Sequence, residues 1–306
     1  MQKVTFGKTG LQVSQLGFGG APVGYLKTDR QRIAKIIDLL LENGVNFIDT
    51  AASYPGSERA LGEILAGRRE RVVIVSKCGS TLEDVPGKAW SAELVSGTVD
   101  RSLKNLRTDH LDVMLLHSCD LDTLKRGEAL GALIKAREAG KIRFAGYSGD
   151  NQAAVYAATL PDVAVIETSV NIADQINLRL VLPTAQKNNV GVIAKRPIAN
   201  AAWRQPSEQQ GLYRNYAQVY HDRLKQMNLN PADLGVTGPD AWPEMALRFV
   251  LSYPGIHTAI IGTTNPQNAQ ANIGYANKGP LAPNVVAKIE AAFSKADPKG
   301  TWMGQT

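Results

Sequence analysis

Four residues in this chain combine types and positions that suit acid–base chemistry: Asp49, Tyr54, Lys77 and His117. Asp49 closes the apolar run Val45-Asn46-Phe47-Ile48, and Tyr54 follows five positions later. Lys77 closes the run that begins at Val72, and His117 the run that begins at Leu111. A phenol titrates at about 10 and is a poor acid at neutral pH. A cation beside it stabilises the phenolate and makes it a usable proton donor. Lys77 would be that cation, Asp49 the carboxylate that keeps an inward-facing lysine charged and aimed, and His117 the group that positions or polarises an oxygen. As a set they suit proton donation to a carbonyl oxygen. Singly each has an ordinary alternative: a helix cap, a surface lysine, a core histidine, an exposed loop aromatic. A metal-dependent hydrolase built on Asp49, His117 and Glu167 is disfavoured, because the chain has 4 histidines and only His117 closes an apolar run. No metal site is expected.

The elements that must carry these groups are legible as a repeat. Eight short apolar runs, rich in β-branched residues, span Leu16 to Gly20, Val45 to Asp49, Val72 to Lys77, Leu111 to His117, Ile142 to Ser148, Val163 to Ser169, Val190 to Ala194 and Thr258 to Gly262. Stretches with helical spacing alternate with them: Asp29 to Glu42, Ser57 to Ala66, Ala92 to Leu106, Leu124 to Ala139, Asn151 to Ala158, Asn177 to Lys187 and Pro243 to Ser252. Glu42-Asn43-Gly44 and Glu138-Ala139-Gly140 end a helix on glycine just before the next strand. Alternation of this kind implies βαβ units and a parallel sheet. Eight units in a 306-residue chain predict an α/β fold of the (β/α)8 TIM-barrel type, a single domain over residues 1–306. The start, Val4 to Val13, reads as an N-terminal β-hairpin able to plug one barrel end, and a C-terminal helical extension follows the last strand. Active sites of such barrels lie where strands end, which gathers Asp49, Tyr54, Lys77 and His117 at one mouth. One interval, from Pro197 to Pro243, breaks the rhythm with a long polar stretch holding Trp203, Tyr216 and Tyr220 and is expected to form an extra loop at that mouth.

Composition narrows the partners. The chain is 44% hydrophobic and 20% charged, enough apolar surface for a substantial core. Its formal charge of +6 suits an anionic partner, yet Lys and Arg are scattered singly or in short groups such as Gly67 to Arg71. Neither nucleic acid nor a membrane surface is therefore expected as a partner. Two cysteines, Cys78 and Cys119, offer no disulfide framework, and no apolar run is long enough to span a bilayer. The expected compartment is the cytoplasm.

The motifs Asn46-Phe47-Ile48-Asp49-Thr50-Ala51 with Tyr54, Val75-Ser76-Lys77 and Leu115-Leu116-His117-Ser118 resemble those of the aldo-keto reductases in order and spacing. The resemblance runs from Gly17-Phe18-Gly19-Gly20 to Ile260-Ile261-Gly262-Thr263-Thr264-Asn265-Pro266. It implies reversible hydride transfer between a nicotinamide and the carbonyl of an aldehyde, ketone or sugar, with Tyr54 as general acid and base. NADP(H) is the implied cofactor, with NAD(H) as the alternative. Residues placed against it by the resemblance are Gly20, Ala21, Asp49, Ser148 and Glu167, then Lys195, Arg196, Pro197, Ile198 and Asn200, and finally Gly262, Thr263, Thr264, Asn268 and Asn272. The chain departs from the family pattern at Gly149, where Asn is usual, at Glu167, where Gln is usual, and at Lys195, where an aromatic ring often stacks on the nicotinamide. Thr264 and Gln270 stand where NADP-preferring members usually carry Arg or Lys, and Arg196 is the candidate substitute. Tyr25, Trp90, Cys119 and Trp203 follow strand ends and are candidate walls of a substrate pocket. The alternative function is a non-catalytic nucleotide-binding regulatory module on the same barrel.

Overall fold

The computed structural model describes residues 1–26, 28–208 and 213–305. Ten strands occur among them: β1 (Lys3–Thr5), β2 (Gln12–Ser14), β3 (Leu16–Gly19), β4 (Phe47–Asp49), β5 (Val73–Cys78), β6 (Leu111–His117), β7 (Ile142–Ser148), β8 (Val163–Ser169), β9 (Gly191–Lys195) and β10 (Thr258–Ile261). β3 to β10 pair in parallel and close into a barrel in sequence order, β10 returning to β3. This is the (β/α)8 fold that the eight apolar runs imply.

Strand periodicity divides the hydrophobic residues into two cores. One residue set, Phe47, Val73, Val75, Val113, Leu115, Val165, Ile193 and Ile260, fills the barrel interior. Its sequence neighbours Ile48, Ile74, Met114, Leu116, Ile166, Val192 and Ala194 face outward and pack under the helices. Each helix supplies an apolar stripe to that outer layer. In Arg30–Glu42 it consists of Ile33, Ile36, Ile37, Leu40 and Leu41, the i, i+3, i+4 pattern of one face, and Asp29 caps the helix by accepting from the Arg32 N–H.

β1 and β2 form the expected antiparallel hairpin, and it closes the N-terminal end of the barrel. Phe6 is fully buried, edge-on to Phe47 with ring centres 5.8 Å apart and to His257 at 5.6 Å. Gly7 has φ +51°, and a Cβ there would come 2.4 Å from the Gly191 nitrogen, so only glycine permits this approach. The Lys8 N–H donates to the Asn189 carbonyl at 2.5 Å.

Three expectations are corrected. Leu124 to Ala139 is two helices, Leu121–Arg126 and Glu128–Glu138, broken at Gly127 in the left-handed region. Asn177 to Lys187 is likewise Ile176–Leu180 and Leu182–Lys187, because Pro183 has no N–H for a continuous ladder. The polar stretch after β9 is not simply a loop: Tyr213–Met227 is a helix that buries Ala217, Tyr220, Leu224 and Met227. Residues 209–212 of that stretch lie outside the described residues. After β10 come the helices Pro266–Asn277 and Pro283–Ala296, the expected extension, and a tail to Gln305. Among the described residues no helix is long and apolar enough to cross a membrane.

Candidate active site

The alternation that fills the barrel with hydrocarbon also decides which polar residues enter it. Two residues beyond each interior apolar position the strands reach their C-terminal ends, so Phe47 is followed inward by Asp49, Val75 by Lys77, Leu115 by His117, Val165 by Glu167 and Ile193 by Lys195. Strand pairing sets their relative heights. His117 pairs with Ser148, Ser148 with Glu167, and Lys77 with Leu115 one layer below His117. The top of the barrel is thus a ring of ionisable groups over a layer of valine, leucine and isoleucine.

Lys77 is the buried centre of this ring, its side chain fully covered. Its Nζ donates to Asp49 Oδ1 at 2.5 Å and to the Thr50 carbonyl at 3.0 Å, and lies 3.3 Å from Glu167 Oε2. The same Nζ is 5.4 Å from the centre of the Tyr54 ring. Tyr54 meets the His117 ring edge-on at 6.0 Å and the Tyr25 ring at 5.6 Å. Asp49, Tyr54, Lys77 and His117 therefore converge, as do Glu167 and Ser148.

Burial dominates the electrostatics. It pushes the Asp49 carboxyl well above its ordinary range, and the neighbouring Glu167 adds to this against the opposing pull of Lys77. Burial alone would discharge Lys77, but Asp49 and Glu167 outweigh it and hold the ammonium above its usual pKa. The Tyr54 phenol is raised by burial, with Lys77 as the counteracting charge. His117 is depressed to about 3 by burial and then by the cations Lys77, Lys195 and Arg196, so its ring is neutral at physiological pH. Its Nδ1 lies 3.5 Å from the Ser53 hydroxyl. A ring whose Nδ1 accepts there carries its proton on Nε2, free to donate to an oxygen.

A cavity of about 530 Å³ opens above this layer and extends from Tyr54 and His117 past Ser148 and Glu167 to Gly262, Thr263 and Thr264. Ala21 and Tyr25 line one side, and Lys195, Arg196, Pro197, Ile198 and Asn200 another. Gly20 sits just beneath, its N–H donating to the Asp49 carbonyl at 2.7 Å. The helix Pro266–Asn277 begins at the far end, capped by the Asn265 side chain, with Asn268 exposed and Asn272 buried in it. Three candidate wall residues lie elsewhere. Trp90 covers Gly79, whose added Cβ would meet its ring at 1.9 Å. Cys119 is buried, its carbonyl accepting from the Tyr147 hydroxyl at 2.7 Å. Trp203 stacks on Trp242 at 5.7 Å. Of the proposed walls only Tyr25 faces the cavity.

The two basic residues at the end of β9, Lys195 and Arg196, are committed to protein partners. Lys195 Nζ is 3.1 Å from Asp150 Oδ2. Arg196 lies 3.8 Å from the centre of the Tyr216 ring and donates to the Ser169 hydroxyl at 3.0 Å and to the Gln305 carbonyl. Tyr216, which lines the cavity from helix Tyr213–Met227, and Asp150 were not singled out by sequence reasoning. A carboxylate two positions beyond Ser148 was a readable partner for an inward lysine, whereas Tyr216 was one aromatic among several in a polar stretch.

The donor set fits a nicotinamide nucleotide. Ser148 offers a hydroxyl to an amide carbonyl, and Glu167 Oε2 is buried with an ion pair to Lys77 but no directed hydrogen bond among the described residues, leaving an acceptor for an amide NH2. A capped helix N-terminus at the other end suits anionic oxygens.

Comparison with known proteins agrees with this fold. A family model described as the Aldo/keto reductase family matches residues 15–293. The chain is 24% identical to the uncharacterized oxidoreductase YqkF of Bacillus subtilis, over 95% of this chain and 96% of that one. It is 32% identical to an L-galactose dehydrogenase of Arabidopsis thaliana over 63% and 64% of the two chains. A solved aldo-keto reductase of Bacillus halodurans, in its holo form, superposes with a TM-score of 0.80 at 26% identity over 95% and 96%. Barrel, buried ion pair and matched family model together place the chain in the aldo/keto reductase family of oxidoreductases.

Proposed function

We propose that the chain reduces the carbonyl of a small aldehyde, ketone or sugar with NADP(H), or alternatively NAD(H), and that Tyr54 supplies the proton. The observation that carries this is the buried Lys77, held by Asp49 at 2.5 Å and lying 5.4 Å from the Tyr54 ring, with neutral His117 on the ring's other side. The nucleotide, when bound, supplies hydride to the carbonyl carbon. Ser148, Glu167 and the loop Gly262 to Thr264 are the residues proposed to hold it. Tyr54 donates to the carbonyl oxygen, and Lys77 stabilises the phenolate that remains. His117 fixes that oxygen through a neutral N–H, which keeps its role constant across the neutral range. In the reverse direction the phenolate accepts the alcohol proton. Relatives named L-galactose dehydrogenase and L-glyceraldehyde 3-phosphate reductase support small hydroxylated carbonyl compounds as the substrate class. Two buried free thiols, Cys78 and Cys119, support a reducing compartment, the cytoplasm.

The test is oxidation of NADPH and NADH with 4-nitrobenzaldehyde by the wild type and by Tyr54→Phe, which keeps the ring and removes the proton. We expect turnover to fall by about 10²- to 10⁴-fold in the variant. Binding of nucleotide without turnover by the wild type would instead support the regulatory-module reading.

A further inference from the structure

Glu167 does more in this structure than face the nucleotide. Its carboxyl group is buried at the end of β8, and Oε2 lies 3.3 Å from the same Nζ that Asp49 holds from β4. Both carboxyls are therefore buried within ion-pair distance of one ammonium, Asp49 at 2.5 Å and Glu167 at 3.3 Å. Other groups near the pair do not balance its charge. Lys195 of β9 is turned to Asp150 at 3.1 Å, His117 of β6 is neutral, and Tyr54 and Ser148 are uncharged hydroxyl groups. One ammonium thus serves two buried acids. With both ionised, this dry layer would hold a net negative charge beside the phenol that must become a phenolate.

We propose that Asp49 and Glu167 hold one proton between them over Lys77, and that Glu167 is thereby a positioning residue that governs the pH range in which Tyr54 can surrender its proton. This rests on the carbonyl-reductase reading above. While the proton is held, Lys77 and the pair sum to zero charge, and Lys77 is free to stabilise the phenolate. Once it is lost, the extra negative charge opposes phenolate formation and reduction slows. The alkaline limb of the reduction rate therefore belongs to the carboxyl pair.

Glu167→Gln tests this, because glutamine keeps the shape and leaves Lys77 with Asp49 alone, a pair that stays neutral over a wide pH range. The alkaline midpoint of kcat should move up by about one to three pH units in the variant, and Glu167→Asp, which restores a second acid, should bring part of the limb back. Infrared spectra of the nucleotide-free protein give an independent readout: a buried protonated-carboxyl C=O band at neutral pH should be present in the wild type and missing from Glu167→Gln. Identical pH profiles and an unchanged band, with only nucleotide affinity altered, would overturn the proposal and leave Glu167 as a plain amide contact. If the wild type reduces no carbonyl at all, the functional reading fails, and loss or retention of the band still decides whether the proton is shared.

Discussion

At the scale of single residues, the ordering of this site comes from a lysine that burial should discharge and two acids that prevent it. Removing the cation makes that visible. In Lys77→Met, Asp49 lies near Glu167 without a positive charge, so its folded pKa, already raised by burial, rises further above that of the unfolded chain. A carboxyl with a raised folded pKa binds its proton more tightly when folded, so its contribution to stability is lost as pH increases. The unfolding free energy of Lys77→Met relative to wild type, from urea titration, should therefore be nearly normal near pH 4 and fall progressively toward pH 8, by an amount on the order of 3–5 kcal/mol at most. His117 has the opposite sign. Its folded pKa of about 3 lies below the ordinary 6.5, so the folded state binds the proton less well, and stability contributed by the neutral ring is lost as pH falls from 6.5 toward 3. His117→Asn should flatten the wild type's acid limb of stability over that interval. The four residues of this chemistry were legible because each ends an apolar run or follows one closely. The partnership of Glu167 with Lys77 was not, since sequence shows that both point inward but not that they meet across the barrel.

At the scale of elements, Glu58 on helix Ser57–Ile64 ties three pieces together. It accepts from the Ser76 hydroxyl of β5 at 2.7 Å, from Asn105 at 3.3 Å, and lies 3.6 Å from Arg101 on helix Ala92–Leu106. Glu58→Ala should cost about 2–4 kcal/mol in chemical denaturation, because it leaves buried polar groups without partners. It should also lower kcat, as Ser76 adjoins Lys77. Helix Tyr213–Met227 matters to the cavity through one ring, so Tyr216→Ala should raise the KM for the carbonyl roughly 2- to 30-fold, the range of a desolvated cation–π contact, with little change in kcat. Strand boundaries could be read within a residue or two from β-branched runs. The helix that carries Tyr216 could not, because the polar residues around its buried positions hide their spacing, at 217, 220, 224 and 227, from a reading based on composition. Helix breaks at Gly127 and before Pro183 were marked by the breakers themselves and were passed over in favour of the longer apolar period.

At the scale of the whole molecule, both ends of the chain are sewn into the barrel. The tail reaches the active-site side: Arg223 donates to the Met303 carbonyl, Asn151 to that of Gly304, and the Gln305 N–H to Asp174. Trp302 packs edge-on against Phe293 at 5.1 Å. Deleting the chain from Trp302 onward should lower Tm by about 5–10 °C, given several lost hydrogen bonds and a half-buried ring. It should also raise KM, because Arg196 loses its contact with Gln305 beneath the cavity. The hairpin at the opposite end has a different consequence, one of timing. Phe6 and Lys8 are received by Asn189, Gly191 and His257, which are made about 180 to 250 residues later. At synthesis rates of roughly 5–20 residues per second, the plug waits on the order of ten seconds to a minute before its seat exists. Throughout that interval the Phe6 ring has no seat, so this end of the barrel is plugged only after β9 and His257 have been made.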